Sequence, residues 1–299
     1  MLGVMQITTR TTPRTALVFG ASGQIGAALL QRLCRQGWQV LAVSRRPQPA
    51  APGVHWLQGD LSRPPALPDA VDVVFSCGPL DAFAQWYAQA PLQCPRVIAF
   101  GSTSVMVKQD SQDPAERALA ARLAGGERGV LARAAQQQAA ATLLRPTLVW
   151  GAGMDRSLSR IAALARRWGL FVLPSSACGR RQPVHVADLA DAALAVVDCP
   201  PSHGQAYALG GGQVLAYRQM VQRVLATLPG RPRLYVLPDS VFGLMAGVAR
   251  VSGRLPGFGP AMQARMACDL VFDISPAQRD FGYAPRGFAP SAAELGLDQ

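Results

Sequence analysis

The sequence predicts an α/β fold: a doubly wound parallel sheet followed by a smaller C-terminal α/β lobe that would carry the substrate. Three observations lead there. Apolar runs of strand length alternate with helical periodicity from residue 15 to about 150, and such alternation builds a parallel sheet with helices on both faces. A glycine-rich turn, Gly20-Ala21-Ser22-Gly23-Gln24-Ile25-Gly26, separates the first apolar run from the first helical segment. Beyond Gly151 the alternation loosens into shorter segments, the profile of a lobe grafted onto a sheet. The expected division is 13–175 for the sheet domain and 176–299 for the lobe, the two interleaved.

The elements follow in order. Ala16-Leu17-Val18-Phe19 is the first strand, and 24–36 a helix with Ile25, Leu29 and Leu33 on one face. Val40–Val43, Val54–Leu57, Val71–Phe75 and Val97–Phe100 are the next four strands. Phe83, Tyr87 and Ala90 share a helix face between the last two. The Ala/Gln/Arg-rich stretch 115–140 reads as a long helix interrupted at Gly125-Gly126, because glycine weakens a helix interior. Thr142–Val149 is a sixth strand, which Pro146 is expected to bend. In the lobe, helices are expected near 157–168, 188–198, 217–228, 239–251 and 259–269, with short strands near 171–173, 205–209 and 233–237.

Composition excludes several function classes. No apolar run approaches the ~18–20 residues needed to cross a bilayer, so no membrane span is expected. The six cysteines (34, 77, 94, 178, 199 and 268) contain no C-x-x-C pair and lie apart from the histidines, so no metal site is expected. Reduced thiols and the absence of a signal-peptide pattern point to a cytoplasmic protein. The net charge of +11 invites a nucleic-acid partner, but the arginines are dispersed and no basic run interleaves with aromatics. The expected partner is instead a small anionic molecule, with a homodimer as a further possibility.

The turn carries the first chemical signal. Strand, glycine turn and helix in this order form a Rossmann-type dinucleotide-binding unit. The glycines let the backbone approach a pyrophosphate, and the helix N-terminus offers unpaired N–H groups and the positive end of its dipole. Gly20, Ser22, Gly23, Gln24, Ile25 and Gly26 are therefore assigned to the cofactor. At the end of the second strand an NAD-specific site places a carboxylate for the ribose 2′-hydroxyl. This chain has Ser44-Arg45-Arg46 there. A hydroxyl and two guanidinium groups suit a 2′-phosphate, so NADP is expected and NAD is the alternative. A second reading leaves both arginines as solvated loop residues.

Further motifs run the length of the chain. Gly59-Asp60-Leu61, Phe75-Ser76-Cys77-Gly78, Phe100-Gly101-Ser102-Thr103, Leu144-Arg145-Pro146 to Gly151, Arg181 to Leu189, and Phe281 to Arg286 together resemble the extended short-chain dehydrogenase/reductase superfamily, specifically its NAD-dependent epimerase/dehydratase group. The resemblance implies cofactor contacts at Asp60, Leu61, Cys77, Gly78 and Pro146. It implies a catalytic serine at Ser102, and a substrate side formed by Thr103, Trp150 and Arg181. In sugar-nucleotide epimerases the matching arginine binds the substrate diphosphate, so a nucleotide sugar or similar carbonyl compound is the implied substrate. His185 is expected to anchor the lobe, and Asp188 to cap a helix.

One departure counts against the standard chemistry. The family's base is the tyrosine of Tyr-x-x-x-Lys, whose lysine lowers the tyrosine pKa. The chain's single lysine is Lys108, with Ser104 four residues before it. Aligned on Glu127, the two positions are Leu119 and Leu123. Tyr87 is the nearest alternative base. Two readings stay open: an NAD(P)-dependent oxidoreductase or epimerase-like enzyme with a substitute proton donor, or a catalytically degenerate dinucleotide-binding protein acting as redox sensor or assembly factor.

Overall fold

The computed structural model describes residues 13–155, 157–251 and 260–297. Its first half contains β1 (Thr15–Phe19), α1 (Gln24–Arg35), β2 (Gln39–Ser44), β3 (Val54–Gln58), β4 (Val73–Ser76), α2 (Leu80–Gln89), β5 (Arg96–Phe100), α3 (Ser104–Val107), α4 (Pro114–Gln136) and β6 (Ala140–Pro146). There follow β7 (Val149–Trp150), α5 (Leu158–Trp168), β8 (Leu170–Pro174), β9 (Arg180–Arg181), β10 (Val184–His185), α6 (Val186–Ala195) and β11 (Ala206–Leu209). The last elements are β12 (Leu215–Ala216), α7 (Tyr217–Ala226), β13 (Arg233–Leu237), α8 (Asp239–Val251), α9 (Pro260–Ala267) and α10 (Ser275–Phe281).

Seven strands form one parallel sheet in the order β11-β6-β5-β4-β1-β2-β3. Alternation along β1 explains its two covers. Ala16 and Val18 face a core with Leu29 and Leu33 of α1 and Leu189 and Ala193 of α6. Leu17 and Phe19 face a second core with Phe83 and Tyr87 of α2 and Val130 of α4. A strand buried on both faces reads as a continuous apolar run, which is why periodicity located it. Strand order reverses between β1 and β4, so their outgoing loops part to opposite faces and leave a crevice at the carboxyl ends. A third core around Trp150, Ile161, Phe171, Val224 and Phe288 holds the lobe together.

Three expectations need correction. The long helix runs unbroken through Gly125-Gly126; a Cβ on Gly126 would lie 3.2 Å from the Leu80 backbone oxygen, so this glycine lets α4 press against α2. Pro146 does not bend β6 out of the sheet. It is the last residue of a strand paired with both β5 and β11, where a missing N–H costs little. The strand at 206–209 belongs to the main sheet rather than to the lobe. Among the described residues, no helix is long and apolar enough to cross a membrane.

Candidate functional site

The crevice is built on the first strand–helix turn. Gly20 leaves β1 with φ of +70°, and a Cβ there would come within 2.8 Å of the Cys77 carbonyl carbon. The Gly23 N–H donates to Gly20 O at 2.9 Å, closing the turn. Gly26, one turn into α1, packs so tightly that a Cβ would lie 2.2 Å from Gly20 O. No side chain caps α1 and its first turn holds no acid, so its amides and positive dipole end are left to an external anion. This is the cradle a pyrophosphate requires.

A cleft of about 490 Å³ continues from the turn. Of the expected cofactor residues, Gly20, Ser22, Gly23, Ser44, Arg45, Asp60, Leu61, Cys77 and Gly78 line it together. Ser44 is buried, and its hydroxyl donates to Arg46 O at 2.8 Å. Asp60 Oδ1 accepts from Ser62 N, Ser62 Oγ and Arg63 N at 2.6–2.8 Å; the Ser62 bonds and the Arg63 amide hold its pKa below the ordinary carboxylate value. Burial pushes the Cys77 thiol up to about 12, so it is an inert wall.

Five assigned residues act from behind the cleft rather than in its lining. Ile25 packs into the sheet core, Gly26 sets the approach of α1, and the buried Gln24 Oε1 has no hydrogen-bond partner. Arg46 is exposed beyond the wall, and the Pro146 carbonyl accepts from both Thr103 N and Thr103 Oγ1 at 3.2 Å. Sequence reasoning missed Phe19, Val43, Gly59, Ser62, Pro79 and Ala82 as lining residues. The Asp60-x-Ser62 spacing, a signature of a side-chain-stapled turn, was the available signal for Ser62.

Ser102 and Thr103 follow β5, beside the carboxyl ends of β4 and β6. Ser102 Oγ accepts the Ser104 N–H at 3.1 Å, which leaves its own proton for a ligand. Two adjoining cavities meet at Thr103, Thr147 and Leu148. The first, about 280 Å³, is walled mainly by apolar side chains of the lobe, including Leu158, Ile161, Phe171, Met220, Met262 and Met266. The second, about 630 Å³, is lined by Ser102, Lys108, Glu116 and Arg265 among others.

The other candidates divide clearly. Arg181 reaches the first cavity, but its guanidinium donates to the main-chain oxygens of Arg180 (2.8 Å), Cys268 (2.7 Å) and Arg265, and lies 4.9 Å over the Tyr217 ring. These bonds make the guanidinium a tie to the end of α9 on the wall of that cavity. Trp150 is 2% exposed, edge-on to His185 and Phe288, and lines neither cavity. It is a core residue. Tyr87 is sealed among Phe19, Phe83 and Trp86, and burial raises its pKa to about 12, which removes it as a base.

His185 Nδ1 accepts from Ala187 N and so caps α6, a role expected of Asp188. Its Nε2 lies 3.2 Å from Glu294, while burial and the Arg286 charge lower its pKa, so the ring is structural. Asp188 instead accepts from Arg286 N and Nε. Leu119 and Leu123 are half-buried on α4, and Glu127 further along that helix takes a bidentate pair from Arg145 at 2.6 and 2.7 Å.

Comparisons with known proteins bear on the fold. Residues 16–107 match the NAD dependent epimerase/dehydratase family model. The 2-alkyl-3-oxoalkanoate reductase of Stenotrophomonas maltophilia is 28% identical, over 90% of this chain and 94% of that protein. A mitochondrial NADH dehydrogenase [ubiquinone] 1 alpha subcomplex subunit 9 of Arabidopsis thaliana is 28% identical over 77% of this chain and 62% of its own length. The solved structure of MoeE5 with UDP-glucuronic acid and NAD superposes with a TM-score of 0.70 at 20% identity, covering 95% of this chain and 98% of that one. That likeness shows the fold.

Proposed function

We propose that this chain, whose residues 16–107 match the NAD dependent epimerase/dehydratase family model, is an NADP-preferring reductase of a carbonyl compound with an apolar body. One observation carries the reading: the apolar cavity opens at Thr103, next to Ser102. MoeE5 binds a nucleotide sugar, whereas the Stenotrophomonas relative is named for an alkylated oxo acid. Walls of leucine, isoleucine, phenylalanine and methionine offer a sugar's hydroxyl groups few partners and an alkyl chain many contacts.

The turn and the cleft would hold the dinucleotide through backbone amides, Arg45 and Asp60. When bound, the reduced nicotinamide supplies the two electrons and the hydrogen delivered to carbon. Ser102 Oγ–H orients the carbonyl oxygen, and the lobe excludes water from the apolar side. Purified protein should oxidise NADPH with a 2-alkyl-3-oxoalkanoate, and should neither epimerise UDP-glucuronic acid nor oxidise it with NADP or NAD. Turnover confined to the nucleotide sugar would reverse the substrate reading.

Arg45 carries the NADP preference. Losing a charge-assisted contact to the 2′-phosphate costs about 1.5–3 kcal/mol, so Arg45→Ala should weaken NADPH binding about 10–100-fold and NADH binding by no more than about twofold, read by fluorescence titration. Equal losses for both nucleotides would remove the preference.

A second reading rests on Leu119 and Leu123, which cannot move a proton, and on the plant relative named as a respiratory-complex subunit. It makes the protein a dinucleotide-binding accessory factor. Strong thermal stabilisation by NADPH, without turnover of either substrate, would select it.

A further inference from the structure

A carbonyl reduction of the kind proposed above needs a proton donor beside Ser102, and α4 offers only leucines where the family places its tyrosine and lysine. The cavity that Ser102 lines also contains the chain's single lysine. Lys108 follows α3, and its Nζ lies 3.3 Å from Glu116 Oε1. Glu116 is 8% exposed and stands three residues before Leu119, on the same side of α4. Its Oε2 accepts from Ser111 Oγ at 2.7 Å, and Arg265 of α9 pairs with Oε1. A glutamate buried between two cations, on the wall of a cavity open at Ser102, is more than a solvated surface pair.

The structure assigns Lys108 as the proton donor of the proposed reduction, with Glu116 as the positioning residue that keeps the ammonium on the cavity wall; this rests on the reductase reading. The bookkeeping of atoms closes. The carbonyl carbon takes hydride from the reduced cofactor, the C=O π pair moves to oxygen, and that oxygen takes a proton from Lys108 Nζ. The neutral amine regains a proton from water. Ser102 Oγ–H hydrogen-bonds the same oxygen.

Burial and one neighbouring cation favour proton release. Burial and the Arg265 charge lower the Lys108 pKa, and Asp113 opposes them. Glu116 from α4, together with Asp110 and Asp269 on the same cavity wall, supplies the remaining charges that face it. An acid must be protonated to act, so the rate should fall as pH rises through a value below that of an ordinary lysine.

Because Lys108 is the only lysine, trinitrobenzenesulfonate labelling of the full chain, read by peptide mass, reports its titration apart from the N-terminal amine. The expected midpoint lies below that of free lysine and falls further in Glu116→Gln. NADP together with the oxo acid should slow labelling at least about tenfold. Lys108→Met should lose about 10²–10⁴ in kcat with NADPH affinity unchanged. Lys108→Arg keeps the pair with Glu116 but holds its proton, so it should be equally inactive, whereas a purely structural lysine would be rescued by arginine. Turnover by Lys108→Arg at the wild-type rate, or an ordinary and unprotected titration, overturns this inference alone. A wild type that binds NADPH but reduces no carbonyl compound removes the reductase reading and the inference with it.

Discussion

Gly26→Ala is expected to abolish useful dinucleotide binding while leaving a folded protein. The new methyl would lie 2.2 Å from Gly20 O, 2.8 Å from Ala21 Cα and 2.9 Å from Ala21 C. All three are backbone atoms, so no side chain can swing aside. Either α1 withdraws from the sheet or the turn opens. Both displace the uncapped amides that face the cleft, and pyrophosphate binding depends on their convergence. Overpacking of this kind costs about 1–3 kcal/mol in stability. Affinity should fall at least about 100-fold, equivalent to ~2.7 kcal/mol. Denaturant unfolding gives the first quantity and NADPH titration the second. Wild-type affinity in a folded Gly26→Ala protein would show that the turn is not the cofactor's seat.

Arg96→Met should produce the largest loss of stability with no direct effect on the cleft. Arg96 is the first residue of β5, 5% exposed, at the end of the sheet opposite the site. Its guanidinium donates to the carbonyls of Val197 (3.1 Å), Ala140 (3.0 Å) and Val196 (2.6 Å) and to the hydroxyls of Thr142 (2.7 Å) and Ser202 (2.8 Å). It thereby ties β5, β6, the end of α6 and the approach to β11. Burial lowers its pKa to about 10, which still leaves it charged at neutral pH.

Methionine matches the apolar stem but satisfies none of these acceptors. Thr142 and Ser202 retain other partners, Ser202 O and Cys199 O. Val196 O also keeps Cys199 N and Ser202 Oγ, so the carbonyls of Val197 and Ala140 bear most of the cost. At about 1–3 kcal/mol per orphaned buried group, a loss of roughly 3–5 kcal/mol is expected from urea unfolding. NADPH affinity of the folded fraction should stay within about twofold, since contacts this remote couple weakly. A loss under about 1 kcal/mol would mean that water reaches the carbonyls through the shallow cleft beside Arg14 and His203 and replaces the guanidinium.

Errors in reading the sequence shared one cause. Gly125-Gly126 looked like a helix break because propensity is a local quantity, whereas the nearness of Leu80 to Gly126 belongs to the fold. The motif around Arg181 likewise carries no record of the carbonyls of 265 and 268 turning toward it. Arg96 attracted no notice at the start of an ordinary strand. Its partners lie 44 to 106 residues away, beyond any periodic signal.

Taken by itself, the sequence determined the parallel sheet, the glycine turn and most of the cofactor cleft. Those features arise from residues adjacent in the chain: a strand buried on both faces is an unbroken apolar run, and a pyrophosphate turn needs its glycines within one helical turn of each other. Only the tertiary structure decided that a polar cavity, where Lys108 meets Glu116 and Arg265, adjoins Ser102, and that an apolar cavity joins it at Thr103. Side chains from α4, α9 and the loop after α3 converge through packing, and packing depends on shapes that neighbours in sequence do not specify.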